Sequence, residues 1–421
     1  MSKKTAIAII VFLVLLIAGG FLAFYFYFNR GTGNDIIPAT NTPVTSIFPS
    51  SNVGGSNSGN NGGNNTSAST TISGNQNQSN SLPMPVLKQL SIRPSAGAVV
   101  IATTSPVVLV NFIEKGTGNV YQVSPENNLE IRLSNTTIPK IQEALWNKTG
   151  SQVITRYTTS DEVDSIKSYS GFLLPKSADN PDGALTGYFL SENIRAMVKN
   201  PDQNKIFYLL PTSSGSTGII ADFDGSKKTQ IFDSLLKEWL VDWTSPNIIS
   251  LNTKPSAGVP GYLFLLNTKT GGLSRAITGI KGLTSKVSPT GNIILYSESA
   301  DGALSLKIYN LKTGTTLETP VATLAEKCVW SSNNSDIFYC AVPTYVPPGN
   351  FPDDWYKGLV LFSDEIWRID STTGTGELIA DPTNLTKEQI DGVNLSLSPK
   401  EDYLLFTNKK DFHLWSLRLQ Q

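Results

Sequence analysis

One phrase recurs along the last three quarters of the chain: apolar residues, a Ser-Pro or Asn-rich turn, then apolar residues again. It reads Val287-Ser288-Pro289-Thr290-Gly291-Asn292-Ile293-Ile294-Leu295-Tyr296 in one place and Val329-Trp330-Ser331-Ser332-Asn333-Asn334-Ser335-Asp336-Ile337-Phe338-Tyr339 in another. Seven such turns align. The first surrounds Arg93-Pro94-Ser95-Ala96-Gly97, and others follow at Trp146-Asn147-Lys148-Thr149-Gly150, Lys199-Asn200-Pro201-Asp202, Trp243-Thr244-Ser245-Pro246 and Leu397-Ser398-Pro399-Lys400. Consecutive turns mostly lie roughly 43 to 53 residues apart, the spacing of units made of four short strands.

A second element follows each turn: an alternating strand runs into Thr-Gly or Asp-Gly and out into another short strand. Tyr262–Gly271, Leu306–Gly314 and Ile366–Gly374 match one another, and Ile219–Gly225 is a shorter version. Gly supplies the positive φ that such tight turns need. Each unit therefore reads as two hairpins, or one four-stranded blade. The expected fold is an all-β propeller of seven four-stranded blades. Six or eight blades stay open because the first turn is weak, and a pair of β-sandwiches is the competing architecture.

Closure follows from counting strands. After Ser398-Pro399 there is room only for strands near Tyr403–Thr407 and Phe412–Leu417, so the last blade lacks its outermost strand. Residues Val86 to Ile92 can supply it, leaving no free sheet edge.

Two segments precede this domain. Thr5 to Phe28 carries no charge, and its roughly 24 positions reach about 36 Å as a helix, enough to cross a bilayer. Lys3 and Lys4 precede it, which places residues 1–4 in the cytoplasm and the rest outside. A cleaved signal peptide would have a shorter apolar region and a small-residue cleavage site, and no Cys near the helix end offers a lipid attachment site. Residues 29–85 are rich in Ser, Asn and Gly, with no charge between Ile36 and Leu87. Such a segment cannot bury a core, and it reads as a disordered stalk with a typical span of about 40 Å. The expected organisation is thus a cytoplasmic N-terminus (1–4), a transmembrane helix (5–28), a linker (29–85) and a propeller (86–421) outside the cell membrane.

At the quoted turns the chain resembles TolB-like propellers, and Phe412-His413-Leu414-Trp415-Ser416-Leu417-Arg418 resembles the closing strand of a WD repeat, with Ser416 where that family prefers Asp. The resemblance covers roughly Val86 to Gln421 and implies a fold, not an activity.

Chemistry is sparse. The formal net charge is −1 at pH 7 and 16% of residues are charged, which leaves no basic footprint for nucleic acid. His413 is the chain's single histidine and sits on an alternating strand, so a Ser-His-Asp or Cys-His site is not expected. Two cysteines and one histidine also suit no zinc site. Asp179–Gly183 and Asp222–Gly225 lack the ligand spacing of a calcium loop. Sialidase-type Asp boxes and the quinoprotein propeller pattern are absent too. No cofactor is expected.

Cys328 and Cys340 flank the turn symmetrically about Asn334. In a regular hairpin they would face each other and could form a disulfide outside the cytoplasm; two buried thiols, or a bulge that breaks the register, are the alternative. In this sixth unit the spacing of turns grows to about 67 residues, against roughly 45 for an ordinary blade. The surplus, Pro343 to Tyr356, is rich in Pro and aromatics. Tyr345, Phe351, Asp353, Asp354, Trp355 and Tyr356 are the candidate partner-binding residues. Alternatively, the loop folds over the ring and hides its own aromatics.

These features suggest a membrane-anchored, non-catalytic module that binds a protein or glycan partner at the cell envelope. The alternative is a histidine-independent hydrolase or lyase with its site in the funnel. Dipeptidyl peptidase IV-like proteins carry a similar propeller, but their α/β-hydrolase domain and its Gly-x-Ser-x-Gly elbow have no counterpart here.

Overall fold

The computed structural model describes residues 86–101, 107–159 and 165–419. The expected cytoplasmic N-terminus, membrane helix and linker lie outside the described residues.

Seven four-stranded antiparallel sheets follow one another along the chain. The blades span 95–132, 141–189, 196–234, 239–281, 285–318, 328–380 and 392–418, the last completed by Leu87–Gln89. First strands of several neighbouring blades touch one another, as expected of strands nearest the ring axis.

In four of the seven blades the recurring phrase is held by one and the same hydrogen bond. At the turn between first and second strands, a side-chain oxygen accepts from the backbone N–H five residues ahead: Ser288 Oγ from Ile293 (3.1 Å), Ser398 Oγ from Tyr403 (3.0 Å), Asn147 Oδ1 from Gln152 (3.1 Å) and Asn200 Oδ1 from Lys205 (2.8 Å). Ser and Asn hold turns in this way because a short polar side chain can replace a backbone acceptor. The Thr-Gly turns use the same device. Asn267, Asn310 and Asp370 each accept from the N–H groups two and three residues on. Gly271, Gly314 and Gly374 close those turns at φ of 70° to 72°, a region that a Cβ disfavours.

The first turn is out of phase with the others. Ser95–Ile101 is itself the innermost strand of its blade, so Arg93-Pro94 belongs to the connection from the last blade to the first. Pro marks turns of both kinds, and the blade count is unaffected.

Each blade presents alternating apolar residues to both neighbours, so the core is distributed between blades. Leu295, Leu306 and Ile308 of the fifth blade pack with Trp330, Phe338 and Ile369 of the sixth, and Ala341 and Ile366 with Leu404, Phe406 and Trp415 of the seventh. Comparable clusters fill the other junctions. The ring closes as the strand arithmetic requires: Leu87–Gln89 pairs antiparallel with the last strand, Leu87 opposite Leu417 and Gln89 opposite Trp415.

This topology sorts the connections. Hairpin turns between first and second and between third and fourth strands share one face. Loops between second and third strands, and connectors between blades, share the other. The long loop of the sixth blade belongs to this loop face.

Candidate active site at the funnel mouth

The surplus residues of the sixth blade fold back over the loop face. Phe351 is fully buried and Trp355 is 4% exposed, packed with Leu304, Leu324 and Phe362. Phe351 and Trp355 are thus closed to a partner, whereas Tyr345 is 69% and Tyr356 41% exposed. Asp353 and Asp354 serve the loop itself: Asp353 Oδ2 accepts from Ala257 N–H of the fourth blade at 2.7 Å, and Asp354 Oδ2 from Asn350 N–H at 2.8 Å. A one-turn helix, Asp353–Tyr356, is thereby held across part of the ring.

Beneath this roof lies a fully buried charge cluster. Lys327 Nζ donates to Asp364 Oδ2 at 2.8 Å and to Asp391 Oδ1 at 2.5 Å, and all three side chains are inaccessible. Asp391 Oδ2 accepts from Trp355 Nε1 (2.9 Å) and from Phe362 N–H (3.0 Å), and Asp364 Oδ2 accepts from Gly392 N–H (2.6 Å). Asp364 Oδ1 has no partner among the described residues. Desolvation pushes the Asp364 carboxyl up to about 6, against the pull of Lys327. Buried ions need partners of this kind because an unpaired one costs several kcal/mol.

At the edge of the roof, Tyr356 Oη donates to Glu326 Oε1 at 2.6 Å. Burial raises Glu326 above the ordinary carboxylate range, although Tyr356, Lys286, Lys327 and Lys409 oppose it. Burial and the adjacent Glu326 raise the phenol of Tyr356. Lys409 Nζ sits 3.8 Å from the centre of the Trp355 ring and donates to the Trp355 carbonyl, while burial lowers its pKa against the pull of Asp391.

Tyr356 also completes a cavity of about 350 Å³ that is otherwise walled by Ile166, Arg195, Leu209, Glu238, Trp239 and Lys254, among others. A residue from the sixth blade therefore closes a space formed by blades two to four. Small-molecule sites have this size and this mixture of apolar wall and few polar groups. Glu238 Oε2 and Lys254 Nζ pair at 2.6 Å. The Tyr356–Glu326 hydrogen bond at the wall of this cavity puts a proton within reach of a bound ligand.

Of the residues singled out from sequence, Tyr356 alone reaches this cavity. His413 lies just ahead of the last strand, with its Nδ1 3.1 Å from Gln89 Nε2 and 3.6 Å from Asp411 Oδ2, and does not line the cavity. Cys328 and Cys340 face each other in the register and are joined by a disulfide. The sequence reading missed Arg195, Glu238, Trp239, Lys254, Glu326, Lys327 and Asp391. A signal was present: Arg195, Glu238, Lys327 and Asp391 each immediately precede an innermost strand, the position at which a side chain enters the funnel mouth. Among the described residues no three His, Cys, Asp or Glu side chains converge in a way that would hold a metal ion.

No known protein family and no characterised protein matches the sequence. Solved structures of similar architecture include an oligogalacturonate lyase in complex with manganese, 10% identical over 80% of this chain and 93% of that one, with a TM-score of 0.48. A puromycin-hydrolysing peptidase of Mycobacterium tuberculosis is 12% identical over 74% of this chain and 50% of its own, with a TM-score of 0.45. TolB of Acinetobacter baumannii is 12% identical over 77% of this chain and 80% of its own, with a TM-score of 0.40. At these levels the likeness concerns the fold alone. Two of these proteins are by name a lyase and a peptidase, and the expectation of a non-catalytic scaffold is withdrawn.

Proposed function

We propose that the protein is a histidine-independent enzyme of the hydrolase or lyase type, working by proton transfer at the funnel mouth. The observation that carries this reading is the 2.6 Å hydrogen bond from Tyr356 to Glu326 at the wall of the cavity. Tyr356 exchanges a proton with the ligand, and Glu326 takes up or resupplies the proton at the phenol oxygen. Burial moves the Glu326 carboxyl towards neutrality, where a general base works best, and keeps the Tyr356 phenol protonated as the donor.

The enzyme is tethered by residues 5–28 and held off the bilayer by residues 29–85, with residues 1–4 in the cytoplasm and the ring outside; its partner is then a glycan or peptide substrate at the envelope. The uncharged run Thr5–Phe28 behind Lys3 and Lys4 supports the anchor, and the Cys328–Cys340 disulfide suits an oxidising compartment. Kinship with TolB-like and WD-repeat rings belongs to the same proposal.

The test is turnover by the full-length protein in detergent, offered mixed oligosaccharides and peptides with products followed by mass spectrometry. Tyr356→Phe should lower turnover by about 10²-fold or more in a protein that still folds, with the melting temperature lowered by no more than a few degrees for the lost hydrogen bond. A wild-type protein that converts neither class of substrate overturns the reading.

A further inference from the structure

The walls of the cavity differ in how well their polar groups are already satisfied. Lys254 is balanced by Glu238 at 2.6 Å. Arg195, across the same space, is exposed and forms no ion pair among the described residues. Trp239 is 9% exposed and packed edge-on against Phe232 and Phe264. Its buried indole N–H has no acceptor among the described residues. A buried donor without a partner costs about 1–3 kcal/mol, a cost that a bound acceptor removes. The remaining wall is apolar, from Ile166, Leu209, Leu240 and Pro255.

From these groups we infer that the cavity takes a small organic carboxylate with an apolar body, its carboxylate drawn by Arg195 and accepting the Trp239 N–H. Arg195 supplies the uncompensated positive charge and the planar donors that carboxylates favour. The indole N–H supplies a fixed donor that orients the group. Ile166, Leu209 and Leu240 receive the apolar part, which gains roughly 25 cal/mol for each Å² removed from water. Glu238 disfavours a second negative charge, so a monoanion fits better than a dianion. Tyr356, with its hydroxyl committed to Glu326, closes the space from above and faces whatever lies in it.

The inference rests on reading this cavity as the substrate site, but binding is measurable without turnover. Full-length protein in detergent is titrated calorimetrically with N-acetyl-leucine, with N-acetyl-leucinamide and with galacturonate. The carboxylate should bind at least about tenfold more tightly than the amide, the scale of one charge-assisted hydrogen bond. Arg195→Gln, an exposed change, should bring the two within about threefold. Trp239→Phe should weaken carboxylate binding by about three- to tenfold. Equal binding of carboxylate and amide to the wild type overturns the inference, and tighter binding of galacturonate than of N-acetyl-leucine overturns the apolar-body part of it. If carboxylates bind and nothing is turned over, the inference stands and the acid–base reading falls.

Discussion

Trp355 Nε1 donates to Asp391 Oδ2 at 2.9 Å, a bond that ties the roof over the funnel to the ion cluster between the sixth and seventh blades. Asp391 also receives Lys327 Nζ at 2.5 Å, so the loop's position depends on a charge that water does not reach. The dependence is directional: the cluster fixes Trp355, and Trp355 places the neighbouring Tyr356 at the cavity.

Removing the cation should therefore be more damaging than trimming the roof. Lys327→Met leaves Asp364 and Asp391 buried without a counter-charge, and a loss of roughly 3–5 kcal/mol is expected. Trp355→Phe keeps most of the packing and loses one hydrogen bond, for about 1–2 kcal/mol. Denaturant unfolding of the two variants checks the order, which reverses if Lys327 contributes little.

Asp364 gives the fold a pH dependence of known sign. Its carboxyl is pushed up to about 6 by burial, whereas an unfolded Asp titrates near 3.9. Between these values the folded state holds the extra proton. The contribution to stability is then fully present below about pH 4 and is lost as pH rises through 6. Carboxyl carbon chemical shifts followed by NMR should show Asp364 titrating near pH 6; titration near pH 4 would contradict the burial argument.

The disulfide staples the hairpin that begins one residue after Lys327. Cys328 and Cys340 are 12 residues apart, and closing a loop of that size in the unfolded chain is worth roughly 2–3 kcal/mol. Replacing both with Ala should lower the thermal midpoint by roughly 4–12 °C, at about 2–4 °C per kcal/mol for a large domain. Mass spectrometry after alkylation without reductant should find no free thiol in the wild type.

Ring closure depends on the strand before the first blade. Leu87 is 5% exposed and opposite Leu417, so Leu87→Asp should open the junction and expose the edge of the last strand to aggregation. A chain beginning at residue 84 should remain soluble and melt as one ring, while a chain beginning at residue 95 should aggregate. Size-exclusion chromatography distinguishes the two, and equal behaviour would show that closure contributes little.

Much of the architecture was legible in the chain because blade turns are local. Ser288, Ser398, Asn147 and Asn200 bond to N–H groups five residues away, and such contacts leave a repeating mark. The missing outer strand followed from counting, and the facing cysteines from symmetry about Asn334. The misplaced first turn shows the limit of this signal, since Arg93-Pro94 marks a crossover with the same residues that mark hairpins.

The funnel mouth belongs to the tertiary structure. Tyr356 meets Glu326 thirty residues away, and both lie far along the chain from Arg195 and Trp239, with which Tyr356 shares a cavity. No local spacing encodes that meeting; it arises because closing seven blades into a ring returns the sixth to the second, third and fourth. The aromatic loop was visible as an exception to the repeat, but its role was not. Whether Trp355 faces a partner or the ring is decided by the buried Asp391 beneath it, whose charge must be satisfied wherever the chain folds.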